Sequence, residues 1–156
     1  NTFHYSTACR QILGDLHTPV STYLKVRDLY PQSALMESSD YHSHDNNRSF
    51  FALNPIASID ISHGTVTAQY PDGTQETREI NGNYPVEQAF NYFLSHFTVT
   101  GENKEFCGLY GYTSFNAVRY FEHIEIKDCM QEKNDAPDIL YILYKYVIAF
   151  DISTTP

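Results

Sequence analysis

"ASIDISHGTVTAQYPDGTQETREI" (residues 57–80) decides the fold class. Ile59, Ile61, Val66, Ala68 and Tyr70 keep the alternating period of a half-buried strand. His63-Gly64 and Asp72-Gly73 interrupt that period where the chain must reverse, and Asp-Gly is a strong hairpin signal. The stretch is expected to form a three-stranded antiparallel meander with one buried face. Working outward, "SFFALN" (49–54) reads as a separate strand ending at Pro55, preceded by a short strand "SALME" (33–37). Before these, "HTPVSTYLKVRDLY" (17–30) has the marks of a helix start. Thr18 can cap, Pro19 suits the first helical position, and Val20, Tyr23, Leu24 and Leu29 are expected along one side.

Downstream, "YPVEQAFNYFLSHF" (84–97) changes to helical spacing, with Val86, Ala89, Phe90, Phe93, Leu94 and Phe97 on one stripe behind Pro85. "FCGLYGY" (106–112) reads as a strand whose glycines, Gly108 and Gly111, permit a close backbone approach or a bulge. A short helix follows in "TSFNAVRYFEHI", with Thr113 or Ser114 as cap. "DILYILYKYVIAFD" (138–151) is a long aromatic strand, placed so near the last residue that a continuing chain is an even expectation. The order α, five β, α, β, α, β describes an α+β domain of mainly antiparallel sheet with packed helices.

A chain of 156 residues fits one domain, and residues 1–156 are taken as a single unit. No apolar run reaches the length of a membrane span, and no secretory signal is visible at the N-terminus. A formal net charge of −9 argues against nucleic acid and anionic membranes as partners. Cys9, Cys107 and Cys129 are far apart and unpaired in pattern, as expected of reduced cytoplasmic thiols. Thirteen Tyr and ten Phe suit strands and pockets for flat ligands.

The candidate chemistry lies in "ALMESSDYHSHDNNRSF" (34–50). Asp40, His42, His44 and Asp45 alternate as metal ligands can, but an H-x-H pair without further ligands reads better as a solvated loop. No metal is assigned there; a loop closing over a small ligand is the other reading. Glu37 and Ser38 end an apolar strand, and a carboxylate there needs a partner, for which Arg48 is the candidate. Two readings stay open. One is an internal Glu37–Arg48 pair that ties the loop ends. The other is a pocket offering an anion, a hydroxyl and a cation, the complement of a zwitterionic amino acid. Arg119 and Glu122, three apart, read as a surface pair. The glycines of "GLYGY" make neither a phosphate loop nor a dinucleotide fingerprint, and no nucleophile or general base can be assigned.

Thr18-Pro19-Val20, Leu35-Met36-Glu37-Ser38 and Gly108 to Glu122 together resemble the N-terminal domain of anthranilate synthase component I, shared with component I of para-aminobenzoate synthase. The family pattern is a threonine-proline-valine helix start, an L-L-E-S strand end and a G-x-x-G-Y-x-x-Y-D-x-V-R-x-x-E segment. Met36 replaces the second leucine, and Phe115-Asn116 stand where Tyr-Asp is usual. The resemblance implies a regulatory domain of a larger layered α/β/β/α fold, inert alone and without a cofactor of its own. A C-terminal domain, beyond this chain, would bind chorismate and Mg²⁺ and form anthranilate and pyruvate, with ammonia from a glutamine amidotransferase subunit. L-Tryptophan is the implied feedback effector, and Leu35, Met36, Glu37, Ser38, Arg48 and Ser49 are the implied effector-binding residues. The same domain in para-aminobenzoate synthase and a stand-alone amino-acid-binding module are the rival readings. An isolated domain would expose the surface facing its other half, so a homodimer is also expected.

Overall fold

One long ribbon organises the molecule. In the computed structural model, which describes residues 1–12, 18–38, 48–104, 107–122 and 136–151, β3 (Arg48–Ser62) and β8 (Ile139–Asp151) pair antiparallel over nearly their whole length. They form the centre of a six-stranded sheet in the order β5 (Gln75–Glu79), β4 (Thr65–Gln69), β3, β8, β7 (Leu109–Thr113), with β2 (Ala34–Ser38) also on β3. All these pairings are antiparallel. A second, two-stranded parallel sheet joins β1 (Phe3–Thr7) to β6 (Phe97–Gly101). The helices are α1 (Pro19–Val26), α2 (Val86–Leu94) and a 3₁₀ helix, Phe115–Tyr120. This is the α+β class expected. Among the described residues, no helix is long and apolar enough to cross a membrane.

Pro55 does not end a strand. The segments expected as "SFFALN" and the first meander strand are one strand of 15 residues, interrupted by a register shift between Pro55 and Ala57. Proline is tolerated because β2 covers only Ala52 to Arg48 and β4 only Ser58 to Ser62, so no neighbour other than β8 pairs at Pro55. Asn54 takes a positive φ of 62°, which asparagine tolerates better than most residues. The shift also changes partners. Ala57, Ile59 and Ile61 stand opposite Leu143, Tyr141 and Ile139, odd on odd; Ser49, Phe51 and Leu53 stand opposite Phe150, Ile148 and Tyr146, odd on even. One extra residue in β3 thus sends its two halves to different layers.

The second half of β3 enters the main core. Ala57, Ile59 and Ile61 are buried with Val66 and Ala68 of β4, Val86, Ala89 and Phe93 of α2, and Ala117 of the 3₁₀ helix. Phe93 packs at 5.7 Å from Tyr70 and 5.1 Å from Phe97, measured between ring centres. Phe3 and Tyr5 of β1 close this core from outside. The α2 stripe is narrower than its spacing implied. Val86, Ala89 and Phe93 are buried, Leu94 is exposed, and Phe97 has left the helix for β6.

α1 is the layer over the first half of β3, through Tyr23 stacked on Phe51 at 5.7 Å. Its capping box is complete: Ser21 N–H donates to Thr18 Oγ1, and Thr18 N–H donates to Ser21 Oγ, each at 3.1 Å. Val20, Leu24 and Leu29 are exposed rather than on the buried side. The helix is 8 residues long; Tyr23 stacks on the sheet from it, and Val26 is also half-buried.

Candidate functional site

Four rungs of the β2–β3 pair hold the residues singled out in the sequence. The register sets Leu35 opposite Phe51, Met36 opposite Phe50, Glu37 opposite Ser49 and Ser38 opposite Arg48. Neighbouring rungs belong to opposite sides of a sheet, so positions 35, 37, 49 and 51 form one set and positions 36, 38, 48 and 50 another. The expected partnership of Glu37 with Arg48 is therefore not the one the backbone sets up; Arg48 stands opposite Ser38. β8 extends that row with Asp151 opposite Arg48, a position that sequence reasoning passed over. The side chains of Met36, Glu37, Ser38, Arg48 and Asp151 lie outside the described residues, as does the whole loop 39–47 with Asp40, His42, His44 and Asp45.

The surroundings of these rungs are aromatic. Ser49 is buried at 5% exposure and Phe51 is fully buried. Tyr23 stacks on Phe51 from α1, and Phe150 of β8 meets the same ring edge-on at 5.5 Å and 89°. On the alternate set, Phe50 lies 6.3 Å from Tyr110. Leu35 is half-buried. A β-strand end bordered by Tyr23, Phe51 and Phe150 offers flat apolar walls beside positions 37 and 49.

Two crevices among the described residues lie elsewhere. A groove of about 650 Å³ runs past Ser33, Ser58, Gln69, Gln75, Ile142 and Tyr144. It touches the start of β2, not the end that carries Glu37 and Ser38. No carboxylate, imidazole, ammonium or thiol lines it among the described residues, and its titratable groups are the hydroxyls of Tyr70 and Tyr144. A smaller crevice, about 300 Å³, lies between β5 and α2. No cluster of three or more His, Cys, Asp or Glu side chains gathers among the described residues.

A buried polar knot, unread in the sequence, ties the 3₁₀ helix to β8. Arg119 Nη2 donates to Asp138 Oδ2 at 2.6 Å, and Tyr120 Oη donates to the same oxygen at 2.8 Å. Gly64 N–H in turn donates to Tyr120 Oη at 3.0 Å, reaching the turn before β4. Burial pushes the Tyr120 hydroxyl above its ordinary pKa, so it stays a donor. Arg119 thus pairs with Asp138, not with Glu122, because a 3₁₀ helix beside the sheet puts the first residue of β8's approach closer than its own next turn. Ser114 stands at the N-cap but makes no side-chain cap; its N–H donates to the Asp138 carbonyl at 2.7 Å.

No family model matches the chain. Over 145 residues, 92% of the chain, it is 28% identical to anthranilate synthase component 1 of Pseudomonas putida, and over 109 residues, 69% of the chain, it is 30% identical to anthranilate synthase component 1 of Methanothermobacter thermautotrophicus. The chain is a relative of anthranilate synthase component I. It spans 29% and 22% of the length of these two curated relatives.

The motifs that carry the anthranilate synthase resemblance have separate structural duties. Thr18-Pro19 starts α1, and Leu35 to Ser38 end β2. Gly111 lets β7 approach β8 so closely that an added Cβ would collide with the Leu140 carbonyl oxygen, whereas Gly108 has open space around it. Ala117 is fully buried, and Arg119 holds Asp138. Phe115 and Asn116, which depart from the Tyr-Asp of the anthranilate synthase pattern, are exposed, so neither disturbs the packing.

Proposed function

We propose that this chain is the N-terminal, regulatory part of an anthranilate synthase component I and that the end of the β2–β3 pair binds L-tryptophan as feedback effector. The observation that carries the reading is the register. Two segments separated by nine residues, Leu35 to Ser38 and Arg48 to Ser49, meet in one strand pair beside Tyr23, Phe51 and Phe150. The ligand would lie across the end of the strand pair, with Glu37, Ser49 and the aromatic walls on one set of positions and Ser38 and Arg48 on the other, so that together they complement the ammonium, carboxylate and indole of tryptophan. The 28–30% identity to two enzymes named anthranilate synthase component 1 supports the same reading.

In this proposal, conversion of chorismate and ammonia to anthranilate and pyruvate belongs to a C-terminal domain that holds Mg²⁺. A glutamine amidotransferase subunit supplies the ammonia. No catalytic residue is assigned to this chain. Tryptophan acts by binding one arrangement of the two domains better than the other, which is what an allosteric effector requires. The proposal rests on Glu37 engaging the ammonium and Ser38 hydrogen-bonding the ligand. Charge-assisted contacts of this kind contribute roughly 1.5–3 kcal/mol, about one to two powers of ten in affinity.

Calorimetric titration with L-tryptophan, with L-phenylalanine and chorismate as controls, is the direct test. Tryptophan is expected to bind selectively, and Glu37→Ala to weaken it by roughly tenfold or more. In the full-length protein, Ser38→Phe is expected to abolish inhibition by tryptophan while sparing turnover. An enzyme carrying Ser38→Phe that tryptophan still inhibited fully would refute the assignment.

A further inference from the structure

The crevice between β5 and α2 has a composition that packing alone does not call for. β5 is the edge strand of the sheet, and its register sets Glu76 opposite Ala68 and Arg78 opposite Val66. Ala68 and Val66 are core residues, so Glu76 and Arg78 occupy the positions of β5 that share the core side of the sheet. There β5 overhangs α2. The space beneath measures about 300 Å³, floored by Val66, Ala68, Ala89 and Phe93 and walled by Tyr84 and Tyr92. The Arg78 guanidinium lies over the Tyr84 ring, 3.7 Å from its centre. Among the described residues no carboxylate lies within 4.0 Å of it. Glu76 accepts one hydrogen bond, from the Tyr70 hydroxyl at 3.3 Å. Burial and the adjacent Glu76 hold that hydroxyl well above the ordinary tyrosine range, so it remains a donor.

We infer that this crevice is a binding site for a small zwitterion with an apolar body, its ammonium on Glu76 and its carboxylate on Arg78. Residues two apart on a strand are separated by roughly 7 Å, which lets opposite charges grip the two ends of one amino-acid headgroup. A simple anion would meet Glu76, and a simple cation would meet Arg78; a molecule with both charges satisfies both. The floor supplies the rest. Water over Val66, Ala68 and Phe93 finds few partners, so an apolar body that displaces it gains free energy. The volume is at the small end for ligand sites, which suits a single amino acid. The walls are also preformed. Asn81 Oδ1 accepts from the N–H groups of Asn83 and Tyr84 at 2.9 and 3.0 Å, fixing the turn that presents Tyr84. This site shares no residue with the end of the β2–β3 pair.

Exposed charges on an edge strand, as Glu76 and Arg78 are, also deter pairing with a second sheet, and a test must separate the two duties. The ¹⁵N-labelled chain is titrated to millimolar concentrations with L-phenylalanine, L-leucine, benzoate and phenethylamine, and amide shifts are followed. Both amino acids are expected to move amides of residues 66–70, 76–78 and 84–93, with benzoate and phenethylamine roughly tenfold weaker. Arg78→Gln and Glu76→Gln are each expected to weaken L-phenylalanine by roughly tenfold while distant amides stay in place. Unmoved amides in these segments would overturn the inference. So would variants that bind as the parent does but self-associate in sedimentation, because the charges would then only guard the edge. Shifts confined to residues 35–38 and 48–51 would also overturn it, while supporting the effector site proposed above.

Discussion

The two halves of β3 are the same strand in two environments. From Ala57 to Ser62 it lies under α2, the 3₁₀ helix and the β1–β6 pair, and its buried residues belong to a core of interlocking aromatics. From Arg48 to Leu53 it lies under α1, a helix of 8 residues that reaches it through Tyr23. The half from Ala57 to Ser62 is buried in depth; the half from Arg48 to Leu53 lies under the shorter cover of α1, and it carries the candidate effector residues. A ligand that must enter and leave is better served by a thin cover than by a close-packed one, since opening free energies are smallest where few apolar contacts are lost. Under the proposed function, stability and responsiveness are divided along one strand.

Substitutions that probe each half should differ in cost. The largest effect is expected from Gly111→Ala, where the new Cβ would collide with the Leu140 carbonyl oxygen and lie 2.8 Å from Tyr141 Cα. β7 would have to lift from β8, and the loss should exceed about 5 kcal/mol, beyond the usual range of single substitutions. An unchanged urea midpoint would disprove the close approach. Next comes a matched pair of aromatic truncations, one in each half. Phe93→Ala, in the deep core, should cost about 3–5 kcal/mol. Tyr23→Ala, which removes one half-buried ring stacked on Phe51, should cost roughly 1–2 kcal/mol from lost burial and stacking. Equal costs by chemical denaturation would erase the contrast between the halves.

The smallest effect concerns Asp60, on the deep half. Burial raises its carboxyl pKa above the ordinary value, partly offset by a hydrogen bond from Ser62. The folded state therefore disfavours the charged form. Its contribution to stability is fully present below the ordinary carboxylate range and is lost as pH rises through the raised folded value. Asp60→Asn should then melt slightly higher than the parent at neutral pH, and the difference should vanish in acid. Thermal melts across that range would show it, and a variant less stable at neutral pH would contradict it.

Much of this was legible in the sequence, for reasons that are local. The cap at Thr18, the meander turns and the long strand to Asp151 depend on residues within a few positions of one another. What escaped depends on distant partners. Phe3 to Thr7 and Phe97 to Gly101 are short, and only their mutual pairing makes them strands; the second also followed a helical pattern without a break. Pro55 looked like a terminator because sequence does not show that both lateral neighbours stop short of it. Arg119 looked like the partner of Glu122 because Asp138 is nineteen residues away in the chain and adjacent only in the fold. For the candidate site, the motif positions were readable, but their division into two sets was not. That division depends on which residue of β2 faces which residue of β3. Glu76 and Arg78 carried a faint signal, charges at the alternate positions of a strand that should face inward.

The irregularity at Asn54 to Ala57 behaves like an inserted letter in a message read two at a time. Downstream of it, odd residues of β3 match odd residues of β8; upstream, odd match even. Deleting one residue from this stretch would restore a single reading frame, and every position from 48 to 53 would trade sides with its neighbour. Ser49 and Phe51 would leave the layer of α1, and Arg48 and Phe50 would enter it. The spacing between Leu53 and Ala57, more than the identity of any side chain there, sets which residues this end of the molecule can show to a ligand.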